Sequence, residues 1–331
     1  MNWISTPLTV GSLLTSWRWD TSTVVITALI GAGYAWAWLA AKRNGVDLPA
    51  RGRAICFGVV GLALWLYTGV GALGVYSDTL FWVRALQTLL LLYLVAFGLA
   101  AGTPLTVLRG ALGEAGQARM DRVLKSRAVT GLTFPLVPSA AMLLTPWLLY
   151  FSPWYESVLR NGVIDAVTRI VLVCIGFLYF YSRLQADPVP RKYSQAVSLL
   201  ITVIESLADG ILGIVVWLGP ILAADYYREV GRTWGPSLRM DQTAGAGILW
   251  LLGDVLGIPF ALMLMRAWSD DEKRRAAQVD AELDAADARA EPVVPEDDSA
   301  QSGTEAPEPA RPGTGLWWEN DPQLSQRFRR R

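Results

Sequence analysis

Histidine is absent from all 331 residues, which removes imidazole general bases, histidine zinc sites and histidine-ligated haem at once. Cysteine is nearly absent. Cys56 and Cys174 each stand alone in an apolar run, so neither a disulfide framework nor a paired-thiol metal or redox site is available, and both read as small core residues. Methionine forms no cluster: Met142 is isolated, Met120 and Met240 lie in polar segments, and Met263 and Met265 sit at the far end of the last apolar run. A site for a soft metal is therefore not expected. An excess of charge of either sign is also missing, since 29 Lys and Arg balance 29 Asp and Glu, and no global basic field exists to hold nucleic acid. What the chain has in quantity is apolar surface. A 53% apolar composition with 15 Trp does not describe soluble domains but a chain that lives in a membrane.

A hydrocarbon core of ~30 Å needs about 20 mostly apolar residues per helix, and seven such stretches lie near 24–41, 54–76, 83–101, 132–151, 163–182, 197–223 and 243–265. The expected fold is an all-α polytopic bundle of seven transmembrane helices over residues 1–268, multi-pass in the cell membrane, with no soluble domain between spans. The opening residues lack the basic, apolar and small-residue pattern of a signal peptide, so the first span is expected to be retained. Loop charge orients the bundle. Lys42, Arg43, Arg51 and Arg53 in the 42–53 loop, Arg109, Arg119, Arg122, Lys125 and Arg127 in the 102–131 loop, and Arg183, Arg191 and Lys192 in the 183–196 loop place those three loops in the cytoplasm. The N-terminus is then outside and the C-terminus inside. Trp17, Trp19, Trp82, Trp147, Trp154, Trp217 and Trp268 fall near span ends, where amphipathic rings favour the headgroup region.

After the last span the composition changes. Residues 269–290 are rich in Ala with acidic residues leading Lys and Arg, which predicts a charged cytoplasmic helix. Residues 291–331 form a tail expected to be disordered through its Pro, Glu, Ala, Gly and Ser stretch. The tail ends in Trp317, Trp318 and Phe328 beside Arg327, Arg329, Arg330 and Arg331. That end suits an anionic inner leaflet or a partner, and the alternative is an unbound tail with incidental aromatics.

An ionisable side chain at the centre of a span costs at least ~2.5 kcal/mol on insertion scales, so each needs a partner, a cavity or a function. Six qualify: Arg84 in the third span, Asp165 and Arg169 four apart in the fifth, Glu205 and Asp209 four apart in the sixth, and Asp254 in the seventh. Spacing of four puts each pair on one helix face. Asp165 and Arg169 should lie roughly 3 and 9 Å below the outer surface at the helical rise, with Arg84 close by. Two readings follow: a polar cavity handling an ion, proton or cofactor, or interhelical ion pairs that fix helix register. The second is preferred, because Arg and Asp at similar depth neutralise one another. No nucleophile or hydride acceptor accompanies Glu205 and Asp209, so an enzyme is not expected. Gly69, Gly71, Gly74, Gly245, Gly247, Gly253 and Gly257 permit close helix approach. Pro135, Pro138, Pro146, Pro220 and Pro259 should kink or end their helices.

Five segments in order resemble the multi-span CtaG family of cytochrome c oxidase assembly factors. Ser16-Trp17-Arg18-Trp19-Asp20 resembles the family's approach to the first span. Gly102-Thr103-Pro104-Leu105 with Leu108-Arg109 resembles its G-x-P loop, and Asp187-Pro188-Val189-Pro190-Arg191 its D-P-x-P-R loop. The stretch from Asp241-Gln242 through Gly245, Gly247 and Trp250, and then Arg266 to Glu272, resembles its final span and exit. The resemblance covers about residues 10–280. It implies a non-enzymatic membrane factor that assists assembly or stability of a haem-copper oxidase, with oxidase subunits or other assembly factors and membrane lipid as partners, and no cofactor of its own. The family's pattern also holds histidines, taken to bear on copper delivery. Here their places are taken by Arg84 and Thr88 in the third span, Asp165 and Val171 in the fifth, and Asp209 in the sixth. This departure implies that a metal cavity has become an Arg and carboxylate network, without direct copper ligation. Two further readings stand beside it: a transporter or ion conductor using the network, and an accessory subunit of a respiratory complex.

Overall fold

Why each helix starts and stops is visible in its caps. In the computed structural model, residues 7–134, 136–184, 187 and 195–289 are described, and every regular element among them is helical. In chain order these are α1 (Val10–Thr15), α2 (Thr21–Arg43), α3 (Arg51–Tyr76), α4 (Phe81–Ala111), α5 (Glu114–Leu124), α6 (Arg127–Leu132), α7 (Leu136–Phe151), α8 (Trp154–Arg160), α9 (Gly162–Leu184), α10 (Gln195–Leu218), α11 (Ala224–Val230) and α12 (Leu238–Arg289). Thr9 and Ser12 close a reciprocal capping box on α1, and the Asp20 carboxylate accepts from Thr23 N–H at the start of α2. Each answers a backbone donor that the first turn leaves unpaired. The chain leaves α2 through Gly45 at φ +68°, a left-handed conformation that glycine adopts without steric cost.

Among the described residues, α2, α3, α4 and α9 are long and apolar enough to cross a membrane, and α7 with α8 makes a fifth if the pair is one broken span. Their axes differ by 69°, and the break falls at Ser152 and Pro153, where proline supplies no donor to continue the helix. Of the prolines expected to disturb helices, Pro138 and Pro146 lie inside α7 without ending it, and Pro220 follows the end of α10. Pro135 lies outside the described residues, and Pro259 falls within the bounds of α12. The stretches expected at 197–223 and 243–265 coincide with α10 and the first half of α12, which are not among the four or five.

The helix α4 is central. Two-thirds of its apolar stretch is buried, against 17% for α2, whose Val25, Leu29, Trp36 and Leu39 face outward. Exposed apolar side chains along so long a helix mark a surface that meets lipid or protein. Within α3 and α4 the segments Phe57–Ala63 and Leu90–Val95 widen to π-helical turns. Near them the two helices touch backbone to backbone, since a Cβ on Gly98 would overlap Gly61 N and Val60 C. Such contact is open to small residues only, and in lipid it substitutes for a hydrophobic drive between helices. Gly176 of α9 lies equally close to the Leu92 carbonyl and Ala96 of α4. Gly69, Gly71 and Gly74 close α3 in a tight break, where a Cβ on Gly69 would strike Thr23 of α2. In α12 a Cβ on Gly245 would strike Phe81, whereas Gly247 faces open space.

The chain divides into a unit ending at Ala277 and another beginning at Gln278. Residues 269–289 are helical, and in the first unit Lys273 and Asp270 lie 4.0 Å apart across one turn. Of the second unit the final turns of α12, to Arg289, are described, with Val279 and Leu283 exposed on one face. The Trp- and Arg-rich end, including Trp317 and Arg331, lies outside the described residues.

Gly176→Val is expected to push α9 off α4, at a cost of about 1–3 kcal/mol, typical of overpacking. A lowered melting midpoint in mild detergent measures it; an unchanged midpoint would contradict the close approach.

Candidate functional site

The beginnings of α2, α4 and α9 come together at one end of the bundle, and their charged residues interlock. Arg84 Nη1 lies 2.6 Å from Asp165 Oδ1, and Arg84 Nη2 lies 2.8 Å from Asp78 Oδ1. Arg169 Nη2 reaches both Asp165 Oδ2 at 3.1 Å and Asp20 Oδ2 at 2.6 Å. Arg18 Nη1 completes the series on Asp78 Oδ2 at 2.8 Å. Read along these contacts the order is Arg18, Asp78, Arg84, Asp165, Arg169, Asp20, three cations alternating with three anions and a net charge of zero. Exposure is greatest at the Arg18 side chain, 45%, and least at Arg84, 4%, with Asp165, Arg169 and Asp20 nearly as buried. Arg84, the member that would cost most to leave unpaired, is thus one with two partners.

Neutral groups take up some of the other donors, while the buried Nε atoms of Arg84 and Arg169 have no hydrogen-bond partner. Arg84 Nη1 also donates to Gln87 Oε1 at 3.0 Å, while Gln87 Nε2 donates to the Thr68 carbonyl at 2.7 Å. Arg169 Nη1 donates to Thr23 Oγ1 at 2.9 Å. Thr88 is buried and turns its hydroxyl back to the Arg84 carbonyl at 2.9 Å. Rings wall the array: Tyr155 and Tyr227 share a hydroxyl contact of 2.8 Å, and Tyr226 donates to the Asp78 carbonyl. Burial pushes the Asp20 carboxyl up. The Ser22 hydroxyl, the Arg169 guanidinium and the Thr23 N–H together outweigh it and hold the group below its ordinary value.

Of the six intramembrane charges singled out above, Arg84, Asp165 and Arg169 thus meet. Glu205 does not join them. It pairs instead with Arg183 at 3.0 Å near the other end of α9, accepts a hydrogen bond from the Tyr179 hydroxyl, and shares Arg183 with Ser139 Oγ at 2.6 Å. Arg183, expected among the basic residues of a loop, is inside α9 and 1% exposed, with its guanidinium 4.1 Å from the Tyr179 ring centre. Its partner lies on a different helix, which the loop reading could not anticipate. The side chains of Asp209 and Asp254 lie outside the described residues. Arg18 and Asp20 precede α2 and Asp78 lies between α3 and α4, outside the apolar runs; the usable signal is Asp20 immediately ahead of Thr21-Ser22-Thr23, a helix-capping position.

The remaining motif residues act on backbone ends. Asp241 accepts from the N–H groups of Phe81 and Trp82 at 3.2 and 3.0 Å and lies 3.3 Å from Arg232. It caps α4 three residues before Arg84. Gln242 gives Nε2 to the Val216 and Pro220 carbonyls and takes Leu222 N–H on Oε1, closing the end of α10. Trp250 is 42% exposed and covers Gly210 and Gly213 of α10. At the opposite end of the bundle Asp187 accepts from Leu105 N–H, Thr106 N–H and the Thr106 hydroxyl at 3.3, 2.8 and 2.6 Å. Thr103, at φ +49°, turns the chain so that Pro104 restarts the helix. The two loop motifs are thus two halves of one helix cap.

A metal does not fit at the Arg84 end. A guanidinium offers no lone pair to a cation, and the void bounded by Arg84, Thr88, Asp165 and Arg169 measures about 10 Å³, about the space of one water-sized sphere. Among the described residues no three His, Cys, Asp or Glu side chains converge as ligands.

Asp165→Asn removes the anion between two buried cations. It is expected to cost about 3–5 kcal/mol, as when one partner of a buried pair is lost, read as a lower melting midpoint and lower recovery from membranes. Stability equal to the wild type would show that the array carries no structural load.

Comparison with known proteins places the chain in a family. The chain is 27% identical over 288 residues to an uncharacterized protein of Mycobacterium bovis, and 23% identical over 287 residues to one of Mycobacterium leprae. Each match covers 84% of this chain and 43% of the relative, so the chain spans under half the length of the curated relatives it matches. No solved structure matches it. The description "cytochrome c oxidase caa3 assembly factor" matches residues 32–271, and on that match the chain belongs to the Caa3_CtaG family of membrane-associated oxidase assembly factors.

Proposed function

We propose that the protein is a non-enzymatic integral membrane factor that assists assembly or stability of a haem-copper cytochrome c oxidase without itself ligating copper. The observation that carries this reading is the 2.6 Å ion pair between Arg84 and Asp165, two residues that the family resemblance sets at histidine positions. Charges that satisfy one another have no free ligand to offer cargo. Their work is to hold α2, α4 and α9 in register, leaving contact surfaces on those helices to act on oxidase subunits or on other assembly factors.

In the same reading the chain crosses the cell membrane seven times, with α10 and the first half of α12 as the sixth and seventh spans. The N-terminus is outside and residues 269–331 are cytoplasmic. Support comes from the direction of the helices: α2, α4 and α9 all begin at the end that holds the Arg84 array, as alternate spans must. The basic residues Lys42, Arg43 and Arg53 lie at the opposite ends of α2 and α3, where the positive-inside bias puts the cytoplasm.

Deleting the gene is expected to lower oxidase activity together with the copper or haem content of the oxidase. Normal values for all three would refute the assembly role. For the topology, Trp19→Cys in a chain with Cys56 and Cys174 replaced should react with an impermeant maleimide on intact cells, and Arg43→Cys should react only after lysis. The reverse labelling pattern would invert the bundle.

A further inference from the structure

Between α2, α4 and α9 runs an open apolar groove of about 690 Å³, walled by Ile30 and Ala37 of α2, Phe57 of α3, Leu99 and Leu108 of α4, and Phe177 of α9, with Gly33 in its floor. It opens sideways: Trp36 on its rim is 58% exposed, and Cys174 is exposed as well. The Tyr34 hydroxyl in the wall is already committed to the Gly102 carbonyl at 3.0 Å, so the groove has little to offer a polar ligand.

Its length and its charged end define what fits. Along α2 it extends from Ile26 to Ala37, eleven residues or about 16 Å at the helical rise, close to half of a ~30 Å hydrocarbon core. Ile26 lies near the outer end of α2 and Ala37 about a turn and a half from its inner end, so the groove crosses the middle of the helix. Its inner end reaches Pro104 and Leu108, where Asn44 Nδ2 donates to the Gly110 carbonyl and ties the end of α2 to α4. There the chain presents Lys42 and Arg43 in the last turn of α2 and Arg53 one turn ahead of Phe57, all exposed. Residues 42–53 hold four basic residues and one acidic residue, Asp47, and the Asp187 carboxylate interacts with Arg53 at the same end. An apolar slot about as long as one acyl chain, with basic side chains beyond its inner end, matches a single acyl chain below an anionic headgroup.

We propose that this groove is a binding site for an anionic phospholipid, its acyl chain lying against Gly33, Ala37 and Phe177 and its phosphate held by Lys42, Arg43 and Arg53. A transmembrane helix of a partner would fill the same slot through its side chains and would have no use for the basic mouth. The proposal rests on the topology given above only for the choice of the inner leaflet.

The test is a melting titration of the delipidated full-length protein in mild detergent, with phosphatidylglycerol and phosphatidylcholine of identical acyl chains. Binding to the folded form alone raises the midpoint in proportion to the logarithm of ligand concentration. Phosphatidylglycerol is expected to stabilise saturably and at lower concentration than phosphatidylcholine. Replacing Lys42, Arg43 and Arg53 by Gln should erase that preference, with a loss of roughly fivefold in apparent affinity per charge removed. Gly33→Phe fills the floor, and because a Cβ there has no neighbour within 4 Å the variant should melt like the wild type without lipid and lose the response to both lipids. Equal stabilisation by the two lipids, a preference that survives the triple substitution, or a Gly33→Phe protein that responds like the wild type would each overturn the proposal. The titration requires no membrane orientation, so an inverted topology would move the lipid to the other leaflet without altering these results.

Discussion

Charge buried in a low-dielectric span must be cancelled where it stands, and the arrangement at the start of α2, α4 and α9 follows from that constraint. A lone arginine on α4 would be prohibitive; an arginine between Asp78 and Asp165 is tolerable, provided that both carboxylates are held in place. Holding Asp165 in turn engages Arg169, and Arg169 engages Asp20 at the cap of α2. The same pairs that make the charges affordable also specify which helices are neighbours and at what height. Apolar contacts alone specify this weakly in lipid, where tails compete on equal terms with side chains.

Helix ends pose the second demand. A first turn has N–H groups and a last turn has carbonyls that nothing inside the helix can satisfy, and a membrane-buried terminus cannot turn to water. Asp241 answers for α4, Gln242 for α10, Asp187 for the restarted helix at Pro104, and Asp20 for α2. Each cap comes from a residue in one of the ordered motifs, and three of the four reach an element remote in sequence. The motifs are accordingly stitches between chain segments, which is a sufficient physical reason for their spacing.

Much of this was legible from residue order. Long apolar runs located the helices, and the spacing of four between Asp165 and Arg169 placed them on one face. The depth of Arg84 brought it to the same level. What stayed hidden depended on partners outside the apolar runs. Asp78 reads as an ordinary loop carboxylate and Arg18 as a residue before the first span, yet both close the array. Arg183 reads as one more cytoplasmic cation at the end of a span, whereas Glu205 of α10 draws it inward. Spacing along one helix reveals which side chains share a face, but it carries no information on which face of another helix will oppose them. The break at Pro153 was missed for a related reason: its consequence, a 69° change of direction, depends on where α8 finds apolar cover.

The alternation of sign in the array also constrains how this site can diverge. Because Arg84 and Asp165 each answer to two neighbours, a lone exchange at either position takes one partner from two opposite charges at once, while an exchange at Arg18 takes one partner from Asp78, which water can still reach. Drift is thereby free at the rim and coupled at the centre. Introducing an imidazole at position 84 or 165 alone would leave its neighbours short of a partner, so metal chemistry could arise here only by changing several positions together.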